Sequence, residues 1–226
     1  MWTLSTIIGD VPTDASGPAR RGPRPRGAVR AALVDAGLDL ARAGGPDAVV
    51  LREVTRRVGV VPNTAYRHFA DRDALLAAVR EAALGQLAQR MAEAMSRVRA
   101  RTPARRALLR MGAVGRAYLD FAREEPGLFD MAFASTDHLA PQPGGDVGAA
   151  RPLDYVNAAL DGLVDAGLLA PERRPNLQYP IWATVHGVAV LLRGPLHTLS
   201  ERARSQLEAQ TLAFIEASLT TRPSLT

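Results

Sequence analysis

The sequence predicts an all-α protein: a three-helix head on a body of roughly six helices. Three observations carry this. Apolar residues recur at spacings of three and four along most of the chain, and no stretch alternates as a half-buried strand would. Proline openers and glycine or proline breakers divide those periodic runs into helix-sized pieces. Between Val50 and Leu76, two short helical patterns flank a glycine, the layout of a helix-turn-helix. With 226 residues, 47% hydrophobic and 23% charged, the chain can bury a real core.

Residues 1–27 carry Gly, Pro and Ser without helical periodicity and are expected to form a flexible arm. Its end, Ala19 to Gly27, holds Arg20, Arg21, Arg24 and Arg26 with no acid. It reads equally as a solvated tail or as an arm laid along DNA phosphates or in the minor groove. Ala32, Leu33, Ala36, Leu40 and Ala43 then define an amphipathic helix from Ala28 to Ala43, closed by Gly44-Gly45-Pro46.

The head is expected to span residues 28–73 and turns on the next stretch. Leu51, Val54 and Val58 form one apolar stripe. Gly59 stands where a chain leaving a helix needs positive φ, and Pro62 presets the first turn of another helix of roughly six to eight residues. Ala65 and Phe69, four apart, point inward together. Asn63, Thr64, Arg67 and His68 are left on the outward side with Tyr66 beside them, and Arg72 opens the next helix. A second helix presenting such polar side chains is built to enter a DNA major groove.

The body is expected over residues 74–226. Asp71 caps a long helix through about Val98, whose apolar side includes Leu75, Val79, Leu87 and Met91. Thr102-Pro103 restarts a helix that Pro126 breaks, and a short apolar piece runs to Phe133. Ser135 to Ala150, rich in Pro and Gly, reads as a mobile loop. A helix from Pro152 to Gly167, another from about Pro175 to Arg193, and a last one capped by Ser200 complete the chain.

Composition excludes several functions. Cysteine is absent, so disulfides, thiol chemistry and zinc-finger sites are excluded. The histidines His68, His138, His186 and His197 show no paired metal spacing, and neither a phosphate-cradling glycine loop nor a Gly-x-Ser-x-Gly elbow occurs. No enzyme activity, metal or cofactor is expected. No apolar run approaches the ~20 residues that cross a bilayer, and Trp2 to Ile8 lacks the basic flank of a secretory signal. A cytoplasmic protein without membrane contact is expected. All 28 basic residues are arginine. Through Arg80 there are 12 arginines against 8 acids, a surplus of 4, leaving 16 against 15 in the rest. Most of the net +5 therefore accompanies the proposed DNA-binding part.

On these residues the chain resembles a TetR-type transcriptional regulator. The likeness runs from Leu33 to Gly44, through Leu51-Arg52-Glu53-Val54 and Gly59-Val60, to Tyr66-Arg67-His68-Phe69 with Arg72 beyond. Trp182, His186 and Gly187, followed by Gly194-Pro195-Leu196, resemble the branch of that family named for a Trp-His-Gly signature. So does the segment Tyr118 to Phe129. The resemblance implies a homodimer joined through its last two helices, with two heads in successive major grooves of a palindromic operator. Release follows when a small ligand enters the body, most members being repressors. It assigns a base or phosphate contact to Arg52, backbone or base contact to Tyr66, and phosphate contacts to His68 and Arg72. Val50 and Val61 stand where the family usually has capping Ser or Thr, which removes two phosphate-contacting hydroxyls; Thr55 is the candidate to return one.

Tyr118, Phe121, Phe129, Met131, Phe133, Tyr155, Trp182 and His186 form the candidate wall of a cavity for a small lipophilic or aromatic ligand, although each also suits a core. Trp182 and His186, four apart, share a helix face. Ile181, Val185, Val188 and Leu192, with Leu207, Thr211, Phe214 and Leu219, form stripes on the last two helices and are the candidate dimer interface; they serve equally as one-sided core. The alternative function is a helical small-molecule-binding protein whose head does not bind DNA.

Overall fold

The computed structural model describes residues 26–134 and 151–220. The arm up to residue 25 and the segment 135–150, expected to be an arm and a mobile loop, lie outside the described residues. Among those described, the elements are α1 (Arg26–Gly44), α2 (Leu51–Val58), α3 (Pro62–Tyr66), α4 (Arg72–Arg97), α5 (Pro103–Glu124), α6 (Pro126–Ala132), α7 (Pro152–Asp165), α8 (Gln178–Arg193) and α9 (Glu201–Thr220). The chain is all-α. None of the described helices is long and apolar enough to cross a membrane.

The caps explain most boundaries. Asp71 accepts the Ala74 backbone N–H at 2.8 Å, Thr102 that of Arg105 at 3.2 Å, and Ser200 that of Ala203 at 3.3 Å. Gly59 takes φ 74° and ends α2 in the left-handed region that favours glycine. Val50 and Val61, heading α2 and α3, supply no side-chain cap.

Some boundaries differ from expectation. Helix α1 begins at Arg26, so the last arginine of the arm belongs to the helix. Helix α8 opens at Gln178 rather than near Pro175, because a 3-10 turn at Pro171–Arg173 is followed by Asn176 at φ 62°, a conformation no helix continues through. Helix α3 has five residues rather than six to eight, since Arg67 already lies in the turn that follows.

Helices α1–α3 close around Leu33, Val49, Val54, Ala65 and Phe69, all buried. Helix α4 links them to the body, its Val79 and Leu87 fully buried. In the body α5 is central, packing against α4, α6, α7, α8 and α9. Helix α6 also packs on α1, so one short element touches both parts.

Candidate nucleic-acid interface and ligand cavity

Helix α3 is amphipathic across its own width. Ala65 and Phe69 are buried on one side, with the Arg30 guanidinium 5.2 Å from the Phe69 ring centroid. On the other side Asn63 and Arg67 are exposed, Tyr66 is 55% exposed, and Thr64 and His68 are half-buried. Asn can pair two-pronged with adenine, Thr offers a hydroxyl or methyl, and Arg grips phosphate or guanine. Helix α2 lies beside α3, with Arg52 exposed on it.

Three features of the head alter the sequence-derived contact set. Thr55 is only 2% exposed and its hydroxyl donates to the Arg52 carbonyl at 2.9 Å, so it faces the core and is removed from the DNA contacts. Arg56 and Arg57 both donate to Glu53, at 2.7 and 3.3 Å. The Arg56 hydrogen bond, aided by Arg57, holds the Glu53 carboxyl down at about 2. These arginines therefore meet a carboxylate within their own helix. Arg72 donates to the Val49 and Pro46 carbonyls at 3.3 and 3.4 Å, tying the start of α4 to the turn before α2. Its first task is to hold the head together.

In the body, a cavity of about 450 Å³ lies between α5, α8 and α9, with Met91 of α4 and Val156 of α7 also in its wall. Tyr118 and Trp182 stand in its lining beside Met111, Leu212 and Ile215. The other proposed wall residues sit elsewhere. Phe129, Phe133 and His186 pack with Tyr118 and Trp182 into one aromatic cluster, ring centroids 4.8–6.3 Å apart. The Tyr118 hydroxyl and His186 Nδ1 are 2.7 Å apart, a hydrogen bond; burial pushes the Tyr118 phenol well up. Phe121 and Met131 are buried, and Tyr155 rests half-buried against the core. Phe121, Phe129, Met131, Phe133, Tyr155 and His186 do not line this cavity. The aromatics fill space against one another, and the void opens beside them between α5 and α9, lined by Gly112 and Gly115 on one side and Ala209 and Ala213 on the other.

Residues 33–79 match the family model described as bacterial regulatory proteins, tetR family, and residues 111–214 match that of the tetracyclin repressor-like C-terminal domain. The chain belongs to the TetR family. It is a DNA-binding transcriptional regulator and not an enzyme. Curated proteins include no match to it. Solved structures share its fold. A Rhodococcus sp. RHA1 protein of unknown function is 23% identical over 90% of this chain and 99% of its own, with a TM-score of 0.63. RolR in complex with resorcinol is 16% identical over 89% and 97%, with a TM-score of 0.61. A Rhodococcus sp. Rha1 transcriptional regulator is 20% identical over 86% and 99%, with a TM-score of 0.50.

In this TetR-family chain the last two helices divide their apolar residues differently from the expected stripes. Ile181, Val185, Leu192, Thr211 and Leu219 are buried within the chain's own core, so they are unavailable as interface. A helix packed on α5 must turn its strongest stripe inward. Val188 and Leu207 are half-buried, and Phe214 is 65% exposed. Tyr179, Val190 and Leu191 on α8 and Phe214 on α9 are the exposed large apolar side chains of these helices, and of them the sequence stripes include only Phe214. A Cβ on Gly187 would meet nothing within 4 Å.

A continuous set of contacts joins the cavity to the head. Arg193, ending α8, donates to Asp130 of α6 at 2.6 Å and lies 5.5 Å from the Phe129 ring centroid. Glu125, just before α6, accepts from Arg42 of α1 at 2.9 Å and from Arg90 of α4 at 3.2 Å. At Gly127 a Cβ would stand 2.1 Å from the Ala41 carbonyl oxygen and 2.7 Å from that of Arg42, so α6 presses backbone to backbone on α1. Sequence periodicity carries no sign of this approach.

Proposed function

We propose that this TetR-family regulator acts as a homodimeric repressor, bound to a palindromic operator and released when a lipophilic or aromatic small molecule enters the α5–α8–α9 cavity. The observation that carries the reading is the face of α3: Asn63, Thr64, Tyr66, Arg67 and His68 stand outward from a helix whose other side is buried. With Arg52 beside them, and with Thr55 excluded, they supply base-reading and phosphate-gripping groups. Arg72 adds charge at the edge of this surface while bracing the head. The dimer forms on the exposed sides of α8 and α9, where Tyr179, Val190 and Leu191 of α8 combine with Leu207 and Phe214 of α9, while Val188 packs against the core. Trp182, His186 and Gly187, spaced as in the Trp-His-Gly branch, support reading the body as a member of that branch. RolR, whose fold this chain shares, was crystallised with resorcinol, in keeping with an aromatic ligand beside Trp182 and Tyr118.

Release follows from the contacts described above. A ligand that moves α5 or α8 moves α6 through the Arg193–Asp130 pair, and α6 cannot move without α1, against which Gly127 is seated. The ligand must favour the shifted state for this to work. The test is a gel-shift with DNA flanking the chain's own gene. Binding is expected to fall steeply as salt rises, because phosphate contacts release counterions, and to be lost when a cavity ligand is added. Salt-independent binding, or none to any palindrome in a random-sequence selection, overturns it.

A further inference from the structure

Seven arginines and no acid fall between Ser96 and Arg116, where α4 ends and α5 begins. This is nearly half of the 16 arginines beyond Arg80, in a stretch whose other 9 arginines face 15 acids. Arg97 pairs with Glu93 at 3.0 Å. Among the described residues none of the other six has a carboxylate within ion-pair distance: Arg99 and Arg106 donate only to backbone carbonyls, and Arg101, Arg105, Arg110 and Arg116 are exposed. Helix α4 runs 26 residues, about 39 Å at the ordinary helical rise, so the cluster lies at the end of that rod away from the reading helix. DNA on the head does not account for it.

The cluster borders the cavity. Arg99, Arg105 and Arg116 are in the cavity lining, against one carboxylate there, Glu216. A second, open groove shares Val98 and Arg99 with it and continues over Arg101, Arg106 and Arg110. An apolar chamber floored by Trp182 and Tyr118 thus opens onto a shelf of uncompensated guanidinium groups.

We propose that the ligand of this cavity is an amphipathic anion, its aliphatic or aromatic body beside Trp182 and its carboxylate or phosphate head on Arg99 and Arg105. The inference deepens the ligand reading above and rests on the same cavity. Guanidinium forks bind either head group by paired charge-assisted hydrogen bonds, which a neutral ligand of the same length would forgo.

The test uses the full chain carrying Trp2→Phe, which leaves Trp182 as the sole tryptophan. Trp182 emission is titrated with dodecanoate, dodecyl phosphate and dodecanol below their micelle concentrations. One or both anions are expected to bind about tenfold or more tighter than dodecanol, and which of them binds tighter identifies the head group. Arg99→Gln with Arg105→Gln should abolish that preference while leaving dodecanol binding unchanged. Gly112→Phe fills the cavity, since a Cβ there meets nothing within 4 Å, and should block all three probes. Dodecanol binding as tightly as both anions, or a preference that survives the double substitution, overturns the anionic assignment and leaves the cavity reading standing. Silence of Trp182 toward every probe, or binding that persists in Gly112→Phe, overturns the cavity reading and this inference with it.

Discussion

The head and the body bury their residues by different rules. In the head each short helix has one covered side, so whatever is not on the Leu33–Val54–Ala65–Phe69 side faces water. In the body α5 is packed by five other helices and buries Ala107, Met111, Tyr118, Leu119 and Phe121 over a broad face, leaving only an arginine-bearing strip outside. An outward polar residue on α3 therefore has few places to be, whereas an aromatic residue on α5 or α6 can be core, cavity wall or interface. The aromatic cluster shows the cost of that ambiguity: Tyr118 and Trp182 touch the void, while Phe129 and Phe133 fill the space behind them.

The sharpest way to break this contrast is Phe129→Ala. As packed core, Phe129 should cost about 3–5 kcal/mol on removal, read by urea or thermal unfolding. A cavity wall residue would instead lose ligand and keep its stability, and that result would return Phe129 to the wall. Phe214→Glu comes next. It should leave the folded chain intact yet weaken self-association by about 2 kcal/mol or more, as loss of a buried aromatic anchor does. Sedimentation at micromolar concentration reads it; an unchanged sedimentation coefficient would show that α8 and α9 meet no partner through this face.

What the sequence made legible follows the same division. The all-α class, the caps at Asp71, Thr102 and Ser200, the glycine turn at Gly59 and the inward pair Ala65 and Phe69 are local facts, fixed by spacing and side-chain chemistry. Thr55 was misread because hydroxyl chemistry alone does not say whether the group bonds outward or to its own helix, where it reaches the Arg52 carbonyl. The expected stripes on α8 and α9 turn inward because an amphipathic helix sets its strongest apolar side against its own core first, which leaves Phe214 exposed on the weaker side. The seating of Gly127 on α1 depends on two segments more than 80 residues apart and left no periodic trace.

The seam between head and body can be strained by one methyl group. Gly127→Ala sets a Cβ against the Ala41 carbonyl and should destabilise by about 1–3 kcal/mol, the usual range for overpacking. It should also shift operator affinity without any change on α3. An effect on stability with operator affinity and ligand response both unaltered would sever the proposed route through α6. Within the head, Asn63→Ala should cost about 1–3 kcal/mol at one base pair and relax preference there. Arg67→Ala should instead weaken all sequences alike and reduce the salt slope by about 1. If both variants lose discrimination equally, the division into base reader and phosphate grip is wrong.

The smallest expected effect probes how little the head relies on its caps. Val61 precedes α3 in extended backbone, 66% exposed, and offers no acceptor to the first turn. Serine there can accept an N–H two or three residues on, so Val61→Ser should gain about 0.5–1 kcal/mol by thermal unfolding. The same hydroxyl would stand at the start of the reading helix, where a phosphate contact becomes available. Stability and operator affinity should then rise together, and the affinity gain should shrink in high salt while the stability gain persists. A stability gain without any affinity gain would place the phosphates away from the α3 N-terminus and shift the docking of the head toward Arg52 and the arm.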